Sequence, residues 1–201
     1  KPVPGKKLGD PFVDPNKYAW FSNPVFRRAV SMAIDRQAMI PSVFFGEAVS
    51  NWAIATPGNK AWYSPDVVRY DYNPAEAKRL LASLGFKDAN GDGTLEDTKG
   101  NPVTFSLKTN SSNTTRIAMM NFIKADLAKV GVNVITSPVD FNTLITNLRS
   151  DFQYEAILLG LQSGVPPDPT LMQNAWKSSG LTHMWFLAQT KPDTPQEARI
   201  D

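Results

Sequence analysis

From Val103 to Gln162 the spacing of apolar positions switches repeatedly between two periods. Val103, Phe105 and Leu107 alternate with Thr104, Ser106 and Lys108, the two-residue period of a strand. Ile117, Met120, Ile123, Leu127 and Val130 then recur at three to four residues, which predicts a helix over 114–130. Asn113 or Thr114 can cap its start, and Gly131 stands where a left-handed residue ends a helix. Val132 to Thr136 reads as a second strand. Asp140 caps a second helix over 141–149 that carries Phe141, Leu144, Ile145 and Leu148. Ala156 to Leu161 is continuously apolar, as in a strand covered on both faces.

The order is therefore β-α-β-α-β. Strands joined through helices of this length lie parallel, with right-handed crossovers. Their carboxyl ends share one edge of the sheet, and ligands of open α/β sheets bind outside that edge. The segments there are 109–113, 137–140 and 161–168, rich in Asn, Ser, Gly, Gln and Pro. They predict a polar, largely uncharged, hydrogen-bonding rim on a rigid α/β sheet. Asn110 and Ser111 after the first strand, and Gln162, Ser163 and Gly164 after the last, are the candidate ligand contacts. Gly164 would let backbone approach a ligand closely, while Pro166, Pro167 and Pro169 stiffen the segment beyond it.

Elsewhere, Asn23-Pro24 and Asn73-Pro74 each read as a cap followed by proline at the first helical position. The first of these helices presents Phe26, Ala29, Val30, Ala33 and Ile34 as one stripe and should break at Pro41, with Gly46 as its end. Arg27, Arg28, Asp35 and Arg36 read as its solvated face. The second helix carries Ala77, Leu80, Leu81 and Leu84 and stops at Gly85. Residues 47–65 have no period, and their Trp52, Trp62 and Tyr63 read as cover for the core. A short helix is expected around Leu171, Met172 and Trp176. Residues 1–16 form a Pro- and Gly-rich lead without an element, and 195–201 begin like a helix that is not completed. The chain reads as a piece of a longer protein: a lead over 1–17 and a single α/β lobe over 18–201, cut at both ends.

Charge and composition remove several classes. The 201 residues carry a net charge of +2, with Lys and Arg scattered, so nucleic acid is not expected as a partner. No apolar stretch approaches the roughly 20 residues that span a bilayer. There is no cysteine and a single histidine, His183, which leaves no ordinary zinc site and no cofactor motif. An α/β hydrolase would need an activated serine. Ser178 and Ser179 lie near His183 in sequence, but no G-x-S-x-G elbow is present, and a histidine beside Met184 and Trp185 reads as a packed residue. Asp88, Asn90 and Asp92, in DANGDG, match the opening of a calcium loop. The position that should hold its last carboxylate is Lys99, so the expected structure is a turn held by Asx and Gly geometry.

A longer pattern then emerges. NPVFRRAVSMAIDRQAMI, FFGEAV, YDYNPAEAKRLLASLGFKDANGDGTLED, TFSLKTNSSNTTRIAMMNFIKADLAKVGVNV, DFNTLITNL, YEAILLGL and NAWKSSGLTHMWF succeed one another in order from about Tyr18. The series resembles the second lobe of the extracytoplasmic solute-binding proteins of family 5, the oligopeptide-, dipeptide- and nickel-type receptors of ABC importers. The resemblance implies a type II periplasmic-binding-protein lobe, in a two-lobed receptor that closes on its ligand and delivers it to a membrane permease. It implies a monomer, periplasmic or anchored outside the cell, that binds peptides without a cofactor. A neutral oligosaccharide is the alternative ligand. In peptide-binding members an Asp after the last central strand pairs with the ligand's amino terminus. Gly164 stands there in this chain and Asp168 comes a few residues on, so either Asp168 serves or the ligand has no free amine.

Overall fold

The computed structural model describes residues 13–53, 55–162, 168–184, 186–187 and 189–201. They fall into two compact units. One holds the described residues of Lys1–Ser50 and Arg69–Leu159, the other those of Asn51–Val68 and Gly160–Asp201.

The first unit begins with α1 (Pro15–Ser22), α2 (Pro24–Ala33), α3 (Arg36–Phe44) and α4 (Pro74–Ser83). Asparagine caps start α2 and α4 as their sequences predict: Asn23 Oδ1 accepts from Val25 N, and Asn73 Oδ1 from Glu76 N, each at 2.9 Å. Three expectations fail here. The lead is not without structure, because Asp14 caps α1 by accepting from Asn16 N, with Pro15 behind it. The helix pair breaks at Ile34-Asp35, not at Pro41, which lies inside α3. Asp35 is the reason. Its Oδ1 accepts from Ala38 N at 2.9 Å and starts a new helix, while its N–H donates to the buried Asp126 at 2.8 Å. Asp35 and Arg36 are thus not a solvated face, since the half-buried Arg36 donates to Ser31 O.

The sheet comes next, as β1 (Thr104–Asn110), α5 (Thr114–Ala128), β2 (Asn133–Val139), α6 (Phe141–Arg149) and β3 (Ala156–Ile157). Its order is β2-β1-β3 and every pairing is parallel, as the alternation of strands and helices requires. β1 and β2 align from Thr104↔Asn133 to Asn110↔Val139, whereas β3 meets β1 only at Leu107↔Ala156 and Lys108↔Ile157. The expectation of a last strand covered on both faces is therefore corrected. β3 is a short edge, half-buried, and side chains complete its pairing: Glu155 Oε2 accepts from Ser106 N, and Thr109 Oγ1 donates to Leu158 O at 2.9 Å.

Strand alternation sends Phe105 and Leu107 into the core with Val103, and Met120 and Leu127 of α5 close over them. Lys108, on the opposite face, reaches Asn147 of α6 at 2.8 Å. The two crossover helices thus cover opposite faces of the sheet. Trp20, Phe26 and Phe86 extend the core from the helical layer, with Trp20 edge-on to Phe86 at 6.1 Å. Each such ring taken from water contributes about 1.5–3 kcal/mol.

In the second unit a 3-10 turn (Pro169–Met172) leads into α7 (Gln173–Trp176), close to the short helix expected there. A further 3-10 turn spans Glu197–Arg199. In the aromatic loop expected to cover the core, Trp62 is 59% exposed, and Trp52 and Tyr63 are half-buried.

Candidate ligand-binding edge

The carboxyl ends of β1 and β2 lie side by side, and the chain leaves them toward opposite faces, to α5 and to α6. Such a divergence opens a crevice where ligands of parallel sheets bind. Ser111 N donates to Val139 O at 2.7 Å and carries the ladder to the lip, leaving the exposed Ser111 hydroxyl free to turn outward. Two of the polar residues there are spent on capping. Asn113 Oδ1 accepts from Arg116 N at 2.8 Å, and Asp140 Oδ1 accepts from Asn142 N at 2.9 Å.

Asn110 is 6% exposed. Its Oδ1 accepts from Arg116 Nη1 at 2.7 Å, and its Nδ2 lies 3.4 Å from Ser112 Oγ. The edge sequence alone does not point to Arg116, because the residue lies beyond 109–113, in the first turn of α5. The available signal is its six-residue spacing from Asn110, which one tight turn and one helical turn bring together.

The other candidates belong to the second unit. Gln162 is exposed, and Ser163 and Gly164 lie outside the described residues. Asp168 is exposed and caps the 169–172 turn, accepting from Thr170 N and Oγ1, both at 2.8 Å. Those bonds, the backbone one foremost, hold its carboxyl below the usual aspartate range. His183 is fully buried with Nδ1 at 3.1 Å from Ala175 O, the packed residue its neighbours suggest. Among the described residues the Ser178 hydroxyl has no hydrogen-bond partner, so no Ser–His pair is formed.

DANGDG forms the expected turn. Asp88 accepts from Gly91 N and Gly93 N at 2.7 and 2.9 Å, Asn90 from Asp92 N, and Asp92 from Thr94 N. Glu96, which accepts from Ala89 N, brings a third carboxylate within 4.8 Å of Asp88 and Asp92. A groove of about 710 Å³ runs beside this turn, lined by Asn90, Asp92, Glu96 and Asp97 among others. It opens at the amino end of the sheet, since Leu95 bonds Val103 N and Gly131 O just before β1 and β2 begin. Volume thus points to one end of the strands and topology to the other. At the carboxyl end, among the described residues, Asn110 Nδ2 has one long contact of 3.4 Å, to Ser112 Oγ.

This architecture is that of a solute-binding lobe. The model for bacterial extracellular solute-binding proteins, family 5, middle region, matches residues 11–183, and the chain belongs to this family of substrate-binding transport proteins. It is 36% identical over 149 residues to the "Probable ABC transporter-binding protein" of Deinococcus radiodurans, covering 72% of this chain and 25% of that protein. It is 29% identical over 171 residues to the oligopeptide-binding protein AppA of Bacillus subtilis, covering 83% of this chain and 31% of AppA. The chain thus spans about a quarter to a third of the length of these relatives. The structure of AppA in complex with a nonapeptide matches 90% of this chain and 38% of AppA, with a TM-score of 0.71 and 27% identity. A mannohexaose-bound oligopeptide-binding protein of Thermotoga maritima matches 92% of this chain and 35% of its own, with a TM-score of 0.76 and 26% identity. Among the described residues no helix is long and apolar enough to cross a membrane.

Proposed function

We propose that this chain is the ligand-facing lobe of a two-lobed ABC-importer receptor that captures peptides outside the cytoplasm and delivers them to a membrane permease. The lobe covers 18–201, with 1–17 as its lead, and the receptor acts as a monomer in the periplasm or on a membrane anchor. The observation that carries the reading is the similarity to nonapeptide-bound AppA over 90% of the chain. The edge fits it through its neutral Asn110 and Ser111, because a peptide backbone is recognised through neutral donors and acceptors. Gln162, Ser163 and Gly164 contact the ligand in the closed receptor together with Asn110 and Ser111, and Asp168 takes a peptide's amino terminus. A neutral oligosaccharide is the second reading, favoured by the mannohexaose in the Thermotoga protein and by the same neutral Asn110 and Ser111.

Calorimetry on the full-length receptor tests the proposal, with an alanine peptide series and mannohexaose as probes. Gly164→Val and Gln162→Ala should each weaken peptide binding at unchanged melting temperature, the latter by about 1 kcal/mol, the scale of one hydrogen bond. Wild-type affinity in both folded variants would remove the loop from the site. Binding of mannohexaose alone would transfer the assignment to sugars.

A further inference from the structure

We infer that Arg116 is a positioning residue that turns the Asn110 carboxamide, so that the carboxyl edge of β1 offers an N–H donor to an oxygen acceptor of the bound solute. The inference rests on the receptor reading and specifies what this part of the edge recognises. A guanidinium carries donors only, so the Asn110 atom at 2.7 Å from Arg116 Nη1 must be the carbonyl oxygen Oδ1. That contact fixes the flip of an amide whose two ends otherwise resemble each other. Nδ2 is left with two N–H groups and a single contact of 3.4 Å to Ser112 Oγ, beyond the usual range for such a bond. A buried asparagine does not normally leave its side-chain donors so poorly matched. The position explains the mismatch, since Asn110 ends β1 where the chain parts from β2.

Among the described residues no carboxylate forms an ion pair with Arg116, which is half-buried in the first turn of α5. Asn113 accepts from the Arg116 backbone N–H at 2.8 Å, so the cap that starts α5 also sets the place from which the side chain reaches back. The same short loop thus builds the helix start, the positioning cation and the reading group. An acceptor oxygen, such as a peptide carbonyl, is the complement of the group presented. A ligand N–H is not.

The test uses the full-length receptor, calorimetry with the alanine peptide series, and thermal melting. Asn110→Asp keeps an oxygen for Arg116 but replaces the donor by a second acceptor. It should lower affinity about tenfold or more, the worth of a hydrogen bond plus the repulsion of facing oxygens, without lowering the melting temperature. Arg116→Ala should weaken binding several-fold in the wild type and have no further effect in Asn110→Ala, because Arg116 acts through Asn110. Wild-type affinity in Asn110→Asp would overturn the donor assignment. An equal loss from Arg116→Ala in both backgrounds would overturn the positioning role and make Arg116 a direct contact. If the wild type binds none of the peptides, the peptide reading falls, and the donor role is then judged apart from it. The Asn110 side-chain amide resonances, compared between wild type and Arg116→Ala without any ligand, still decide the orientation: unchanged resonances refute it.

Discussion

Glu155 performs the work of a missing piece of strand. β3 pairs with β1 at two positions only, and the next β1 donor, Ser106 N–H, is taken up by the Glu155 carboxylate together with the Ser106 hydroxyl. The other carboxylate oxygen holds Lys17 of α1. Its side chain is 21% exposed, so water cannot fully replace these partners. In Glu155→Ala a backbone N–H, a hydroxyl and an ammonium lose a charged acceptor. Bonds to charged groups contribute about 1.5–3 kcal/mol each at most, and partial rehydration brings the expected total loss to about 2–3 kcal/mol. For a chain of this size that corresponds to a melting point lower by roughly 5–10 °C. Glu155→Gln keeps one neutral acceptor and should lose about half as much. Burial raises the Glu155 pKa, but the bonds from Lys17 and Ser106 outweigh it and hold the group below the ordinary glutamate value. A depressed folded pKa means the stabilisation is complete above the unfolded value, about 4.3, and is lost as the pH falls through the folded one. The gap between wild type and Glu155→Gln should therefore be widest at neutral pH and close on acidification below about pH 4. Thermal melting followed by circular dichroism, with hydrogen exchange at the Ser106 amide, measures both. An alanine variant melting with wild type at neutral pH, or a gap that widens in acid, would refute the argument.

The remaining predictions concern glycine geometry and the Asx turn. Gly131 has φ +80°, and a Cβ there would stand 2.6 Å from Leu95 Cγ, so Gly131→Ala should cost about 2–3 kcal/mol in urea unfolding, from left-handed strain plus the displaced leucine; a change below about 0.5 kcal/mol would show that the turn relaxes freely. Asp88→Ala removes the acceptor of Gly91 N and Gly93 N and should cost about 1 kcal/mol. The wild-type melting curve should be the same in millimolar calcium and in chelator. A rise of several degrees with calcium, abolished in Asp92→Ala, would make the three carboxylates a cation site.

The elements that build the sheet are legible in the sequence because their apolar spacing and their caps agree. Asn113 and Asp140 mark the starts of α5 and α6 as clearly in sequence as in the hydrogen bonds they accept. α1 is hidden although Asp14-Pro15 carries the same kind of signal as Asn23-Pro24, because the Pro-rich lead around it has the composition of a linker. The break at Asp35 is hidden for the opposite reason. Pro41 is the louder local signal, but Asp35 is fixed from a distance by Asp126 on α5, and no local pattern reports that bond. β3 is shorter than its apolar run suggests because such a run records hydrophobicity and not which faces are covered. At the candidate edge, topology leads to Asn110 and Ser111 unaided. The orientation of the Asn110 amide requires Arg116, a tertiary contact. Gln162 and Asp168 are exposed in their own unit, while Ser163 and Gly164 lie outside the described residues.

The two margins of the sheet bear on how the chain behaves before and after folding. A free strand margin is a template on which another copy can add itself. β3 offers only two paired residues, too few to align a visiting strand. β2 is long enough, but it carries Pro138, which has no N–H to donate and breaks the row of groups a newcomer would need. Among the described residues neither margin is therefore an inviting template. Pro138 thus leaves a gap in the row of donors along the β2 margin, the feature by which edge strands become poor templates.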